Sequence, residues 1–130
     1  VIDDRFYRAQ VEHEVRAKFL RLRQKAGGAL HDHRLLMRLM LDSISTFVLL
    51  GRHALRLRCG QAPWRKQEIV RALREEFDIP GEAFEKLLRL REGSEKARAA
   101  DAPALFAKYL EEISQLADSV DRLETGGNAS

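Results

Sequence analysis

The sequence predicts an all-α protein, an up-and-down four-helix bundle with one extra short helix. Three observations lead there. Leu is abundant while Val, Ile and Thr are scarce, so the residue types that favour strands are nearly missing. Apolar residues recur at spacings of three and four instead of alternating, which gathers them on single faces of helices. Gly or Pro punctuates the boundaries between these segments. With 45% apolar and 33% charged residues in a chain of 130, the composition fits neither a disordered tail nor a membrane protein. A chain of this length makes one domain and buries roughly two-thirds of its unfolded surface.

The first helix extends from Asp3 to about Ala26, with Tyr7, Val11, Val15, Phe19, Leu22 and Ala26 on one stripe and Leu20 off it. Gly27-Gly28 ends it. The second, from about Asp32 to Arg58, is apolar over more than half its circumference through Leu35, Leu36, Leu39, Met40, Ser43, Phe47, Leu50, Ala54 and Leu57, and is expected to be the central helix. Asp32 suits its N-cap. Pro63 suits the first turn of a third helix, because its missing N–H needs no partner there. That helix carries Ile69, Val70, Leu73 and Phe77. A short fourth helix around Glu82–Arg91 is the expected extra element, and residues 92–100 read as a flexible connection. Asp101 caps the last helix, whose seam is Leu105, Phe106, Tyr109, Leu110, Ile113, Leu116, Val120 and Leu123. The domain is expected to occupy residues 1–124, with a disordered tail at 125–130. The expected core is Val15, Phe19, Leu36, Met40, Phe47, Leu50, Leu73, Phe84, Leu110, Ile113 and Val120.

Leu-Arg-Leu-Arg recurs at 20–23, 55–58 and 88–91. The copies are not separated by equal numbers of helices, so they are not a solenoid repeat. Each sits in a helix's last turns with Gly a few residues on, where cations favour the negative end of the dipole, and acts as a stop signal.

The net charge of +3 divides unevenly, +7 in residues 1–65 and −4 in residues 66–130. Packing one half on the other satisfies that asymmetry internally, and an acidic partner or phosphates would satisfy it externally. Cys59 is the only cysteine, which excludes an intramolecular disulfide and fits a reducing, cytoplasmic setting. The most apolar run, Leu35 to Leu50, is interrupted by Arg38 and Asp42, so no membrane span is expected. No signal peptide opens the chain. It begins at Val1, which leads to the expectation that something was removed upstream.

No Gly-rich phosphate loop, nucleophile elbow or paired-carboxylate motif is present. No catalytic residue is assigned. His31-Asp32-His33 resembles a metal fragment, but neighbours two apart on a helix point in different directions and no second Cys exists, so no metal site is assigned. The chemistry-bearing set lies on the second helix, where successive residues are about 100° apart. Arg38, Asp42, Ser45, Thr46, Arg52, His53 and Arg56 fall on one arc beside the apolar surface. Arginine's forked donors match phosphate oxygens, so Arg38, Arg52 and Arg56 are candidates for holding a phosphate or an acidic surface. Asp42 and Ser45 would orient a hydroxyl or amine, with His53 on the same strip. The alternative is a solvent face in which Asp42 pairs with Arg38. Trp64, beside Arg65 and Lys66, reads as a lid on the core in preference to a platform for a base, and the sequence gives only weak support to a nucleic-acid surface.

The stretches Val15-Arg16-Ala17-Lys18-Phe19-Leu20-Arg21-Leu22-Arg23-Gln24, Leu41-Asp42-Ser43-Ile44-Ser45-Thr46-Phe47 and Leu90-Arg91-Glu92-Gly93 resemble the helical domain that follows a small nucleotidyltransferase domain in bacterial proteins. The chain is similar to the C-terminal bundle of kanamycin nucleotidyltransferase and to the wider HEPN group. That resemblance implies an accessory substrate- or ligand-binding domain, inactive alone, with no cofactor of its own. Magnesium and a nucleoside triphosphate would belong to a catalytic domain upstream in the same polypeptide, whose Gly-Ser pair and spaced aspartates are not in this sequence. Ribonuclease members of the HEPN group use Arg, four to six residues, then His. Here only Arg8 and His13 match, outside the motif's usual place, so ribonuclease activity is not carried over. The second expectation is a helical dimerisation or protein-interaction module without ligand chemistry, its long helices supplying an apolar seam for a homodimer.

Overall fold

The computed structural model describes residues 4–94, 96 and 101–129, excepting the side chains of Asp4 and of residues 124–129. It contains α1 (Asp4–Gly27), α2 (His33–Cys59), α3 (Lys66–Phe77), α4 (Glu82–Glu92) and α5 (Ala102–Ala129), and no strand occurs among the described residues. The tail expected at 125–130 falls on residues whose side chains lie outside that description. Most of the connection expected at 92–100 lies outside the described residues altogether.

Local signals set the helix ends. The Asp32 carboxylate accepts the Leu35 N–H at 3.1 Å, and Asp101 accepts that of Ala104 at 3.2 Å, so both expected caps are formed. Gly60 closes α2 in the left-handed conformation (φ 83°) and donates its N–H to the Arg56 carbonyl. The Leu-Arg-Leu-Arg copies lie towards the C-terminal ends of α1, α2 and α4, as their reading as stop signals requires.

Topology follows from pairs of side chains. Tyr7 meets His53 while Leu22 and Lys25 lie level with Ser43 and Leu39, so α1 and α2 are antiparallel. Arg16 approaches Asp118 at 3.8 Å and Glu12 lies by Asp121, which makes α1 and α5 antiparallel too. Ala83 meets Glu112 while Arg89 lies by Asp101 and Leu105, so α4 runs against α5. The up, down, up, down alternation is thus kept by α1, α2, α4 and α5. The extra helix is α3, not the segment around Glu82–Arg91. It lies parallel to α2, Leu73 beside Gly51 and Phe77 beside Leu57, and a Cβ on Gly51 would fall 2.7 Å from Leu73 Cδ1. A parallel neighbour requires the chain to double back, and Gln61–Pro63 is the return segment. Pro63 therefore sits before α3, not in its first turn, and α3 starts at Lys66 without a side-chain cap.

As expected, α2 is the central helix and packs against all four others. Tyr109 is fully buried, with edge contacts to Phe47 (ring centroids 5.9 Å apart) and Phe84 (5.8 Å). Nine of the expected core residues are buried, but Phe19 and Leu110 are only half-buried on its rim. The Arg23 guanidinium stands over the Phe19 ring, 5.7 Å from its centre. Leu35, expected on the apolar surface of α2, is exposed, whereas its neighbour Leu36 is buried. The N-cap of α4 is Gly81, which has no side chain to offer, and the buried Glu112 of α5 substitutes by accepting the N–H groups of Ala83 (3.0 Å) and Phe84 (3.2 Å). Among the described residues no helix is long and apolar enough to cross a membrane.

Candidate functional site in the α1–α2 groove

The polar strip of α2 is not one groove, because neighbouring elements cover its two edges differently. Arg38, Asp42 and Arg56 are exposed, Ser45, Thr46 and His53 are half-buried, and Arg52 is buried at 7% exposure. Thr46 and His53 turn towards α1. Arg52 turns the other way, to the return segment, where its Nε donates to the Pro63 carbonyl at 3.0 Å. Its guanidinium lies 3.5 Å from the centre of the Trp64 ring. Arg52 therefore anchors that segment to α2 and does not join Arg38 and Arg56. Trp64 is 79% exposed and is not a lid on the core, since α3 begins only after it and the return segment carries it along the surface. The Ser45 hydroxyl is enclosed without a hydrogen-bond partner. No ion pair joins Asp42 to Arg38 among the described residues.

The α1 side of the strip borders a hollow. Lys18, Arg21 and Lys25, at helical spacings of three and four, make one wall of a hollow of about 240 Å³. Asp42, Ser43 and Thr46 make the opposite wall, with Leu22, Leu39 and Phe47 below. The Ser43 hydroxyl donates to the Met40 carbonyl at 3.1 Å, which leaves Tyr109 as donor in the 2.7 Å contact between the two hydroxyls. That wall is therefore hydrogen-bonded into the core. Sequence reasoning missed the three α1 cations, which look like a solvated helix face until α2 is placed opposite. Their signal was a basic row flanking the Val15–Leu22–Ala26 stripe.

Further along the same seam lies a second hollow of about 580 Å³, lined by Phe6, Tyr7, Gln10, His13, Leu50 and His53 among others. The Tyr7 hydroxyl is hydrogen-bonded to His53 Nδ1. Burial, and then the charges of Arg52 and Arg56, holds the His53 imidazole below its ordinary pKa, so it is neutral at pH 7. With Tyr7 donating, the ring proton is on Nε2.

Other candidates are less coherent. A hollow of about 600 Å³ between the ends of α2, α3 and α5 interleaves Arg58 and Arg122 with Glu76 and Asp78, which leaves no consistent field for a charged ligand. Arg8 is buried and bonded to Glu12 at 2.7 Å while His13 is exposed, so the pair does not converge. Among the described residues no three His, Cys, Asp or Glu side chains come together as a metal site. Asp32 is occupied as a cap between the exposed His31 and His33. No protein-family model matches the chain, and comparison with curated proteins and with solved structures gives no significant match.

Proposed function

We propose that the chain is an accessory ligand-binding domain of a nucleotidyltransferase, holding a phosphate-bearing ligand in the α1–α2 groove. Transfer itself would belong to a catalytic domain of the same polypeptide, with magnesium and a nucleoside triphosphate. The observation that carries the reading is the row Lys18, Arg21 and Lys25 facing Asp42 and Thr46 across a hollow floored by apolar side chains. Three cations within two turns favour an anion, and the low-polarity floor strengthens their field. Asp42 opposes an anion unless the ligand also presents a hydroxyl or amine to it, so the two walls together select a ligand with phosphate at one end and a hydrogen-bond donor at the other. The resemblance to nucleotidyltransferase-associated bundles supports a binding role and assigns no chemical step to any residue here.

Calorimetric titration with ribose 5-phosphate, which carries a phosphate and hydroxyl donors, tests this. A Lys18→Ala/Arg21→Ala double variant is expected to bind at least tenfold more weakly with its melting temperature unchanged, and the parent's affinity to fall with added salt as exposed charges are screened. Equal affinities, or no binding by the parent, would refute it.

One observation favours a second reading, a homodimerisation module. Phe6 and Leu20 of α1 are 63% and 56% exposed and lie two heptads apart, with Ala17 and the exposed His13 between them, Phe6 also lining the second hollow. Sedimentation velocity would then show a dimer that Phe6→Ser/Leu20→Ser dissociates. A monomer at all concentrations removes this reading.

A further inference from the structure

We infer that Trp64 is a stacking platform for a nucleobase, braced from behind by Arg52 and flanked by cations that take the attached phosphates. The indole is the largest apolar side chain of the protein and is left 79% exposed. One of its faces is already occupied, because the Arg52 guanidinium lies 3.5 Å from the ring centre. Arg52 is itself buried and fixed by its hydrogen bond to the Pro63 carbonyl, the residue preceding Trp64. Orientation of the ring is thus set before any ligand arrives, which removes part of the ordering cost of binding.

The surroundings identify the ligand. Residues 52–66 contain Arg52, Arg56, Arg58, Arg65 and Lys66 and no carboxylate. In space Arg58 shares a hollow with Glu76 and Asp78 and Gln67 is hydrogen-bonded to Glu92, which leaves Arg56, Arg65 and Lys66 as the cations for the phosphates. Arg56, Arg58, Arg65 and Lys66 are exposed. An apolar protein partner or a membrane surface would call for further apolar side chains around the indole, yet Gln61, Arg65, Lys66 and Gln67 are exposed polar neighbours. A flat aromatic face among cations matches a base with its phosphate, whether in a free nucleotide or in a single strand. The platform lies on the Arg52 side of α2, away from the α1–α2 groove, and does not depend on the reading of that groove.

Trp64 is the only tryptophan, so intrinsic fluorescence reports on this site alone. The 130-residue chain is titrated with AMP, with a ten-nucleotide oligothymidylate, and with the base-free ribose 5-phosphate and pyrophosphate. Saturable quenching by a base-bearing probe and none by the base-free ones is expected; quenching by AMP identifies a free nucleotide as sufficient, and quenching by the oligonucleotide alone identifies a single strand. Using fluorescence anisotropy of the labelled form of whichever probe quenches, Trp64→Ala is expected to lose affinity about tenfold or more and Trp64→Phe to retain most of it. Circular dichroism should show both variants folded, as the exposure of the side chain implies. The Lys18→Ala/Arg21→Ala variant should quench as the parent does. Absence of quenching, equal quenching by pyrophosphate, or unchanged affinity in Trp64→Ala would overturn the inference.

Discussion

The Tyr109 hydroxyl lies 2.7 Å from that of Ser43 and joins the largest fully buried side chain among the described residues to a wall of the α1–α2 groove. Removing either hydroxyl has unequal consequences. In Tyr109→Phe, Ser43 keeps its bond to the Met40 carbonyl, and the loss is one net hydrogen bond, about 0.5–1.5 kcal/mol. In Ser43→Ala, the Tyr109 hydroxyl is left buried without a partner, which costs about 1–3 kcal/mol. Urea denaturation should therefore place Ser43→Ala below Tyr109→Phe. The reverse order would mean that the groove wall is not tied to the core in this way.

Arg52 is expected to differ from the other arginines of the strip. Arg52→Ala removes a charged donor from the Pro63 carbonyl and the cation from the Trp64 face, and should lower stability by about 2 kcal/mol. Arg38→Ala and Arg56→Ala change exposed side chains and should stay within about 0.5 kcal/mol of the parent. Similar values for all three, from thermal or chemical melts, would contradict the anchoring role given to Arg52.

Glu112 makes stability depend on pH. Burial raises its carboxyl above the usual carboxylate range, opposed by the N–H groups of Ala83 and Phe84. A carboxyl with a raised folded-state pKa holds its proton more tightly folded than unfolded, so its contribution is fully present below the unfolded pKa and is lost as pH rises through the folded one. Denaturant melts across that range should show the parent losing stability relative to Glu112→Gln as pH increases. A difference that is flat, or that runs the other way, would contradict the assignment.

The helices were legible in the sequence because their signals are local: the three- and four-residue spacing, Asp32 and Asp101 as caps, and Gly60 as a stop. What was not legible depends on contacts between distant segments. Pro63 satisfies the chemistry of a helix start, and only the Arg52 contact and the parallel packing of α3 on α2 show that it lies in a return segment. Trp64 has the composition of a core residue, and its exposure follows from that same segment. The polar residues of α2 share one arc by helix geometry, but an arc does not reveal which flank a neighbour covers. The α1–α2 pairing keeps Asp42, Thr46 and His53 along the groove seam, diverts Arg52, and supplies Lys18, Arg21 and Lys25 from a helix that the arc did not include.

The most direct test of the groove as the ligand site is a ¹H–¹⁵N correlation spectrum of the chain titrated with ribose 5-phosphate. The account predicts that the shifted amides cluster in Lys18–Lys25 of α1 and Leu39–Phe47 of α2, the two walls and floor of the hollow. Shifts confined to other helices, or a spectrum unchanged at saturating ribose 5-phosphate, would contradict it.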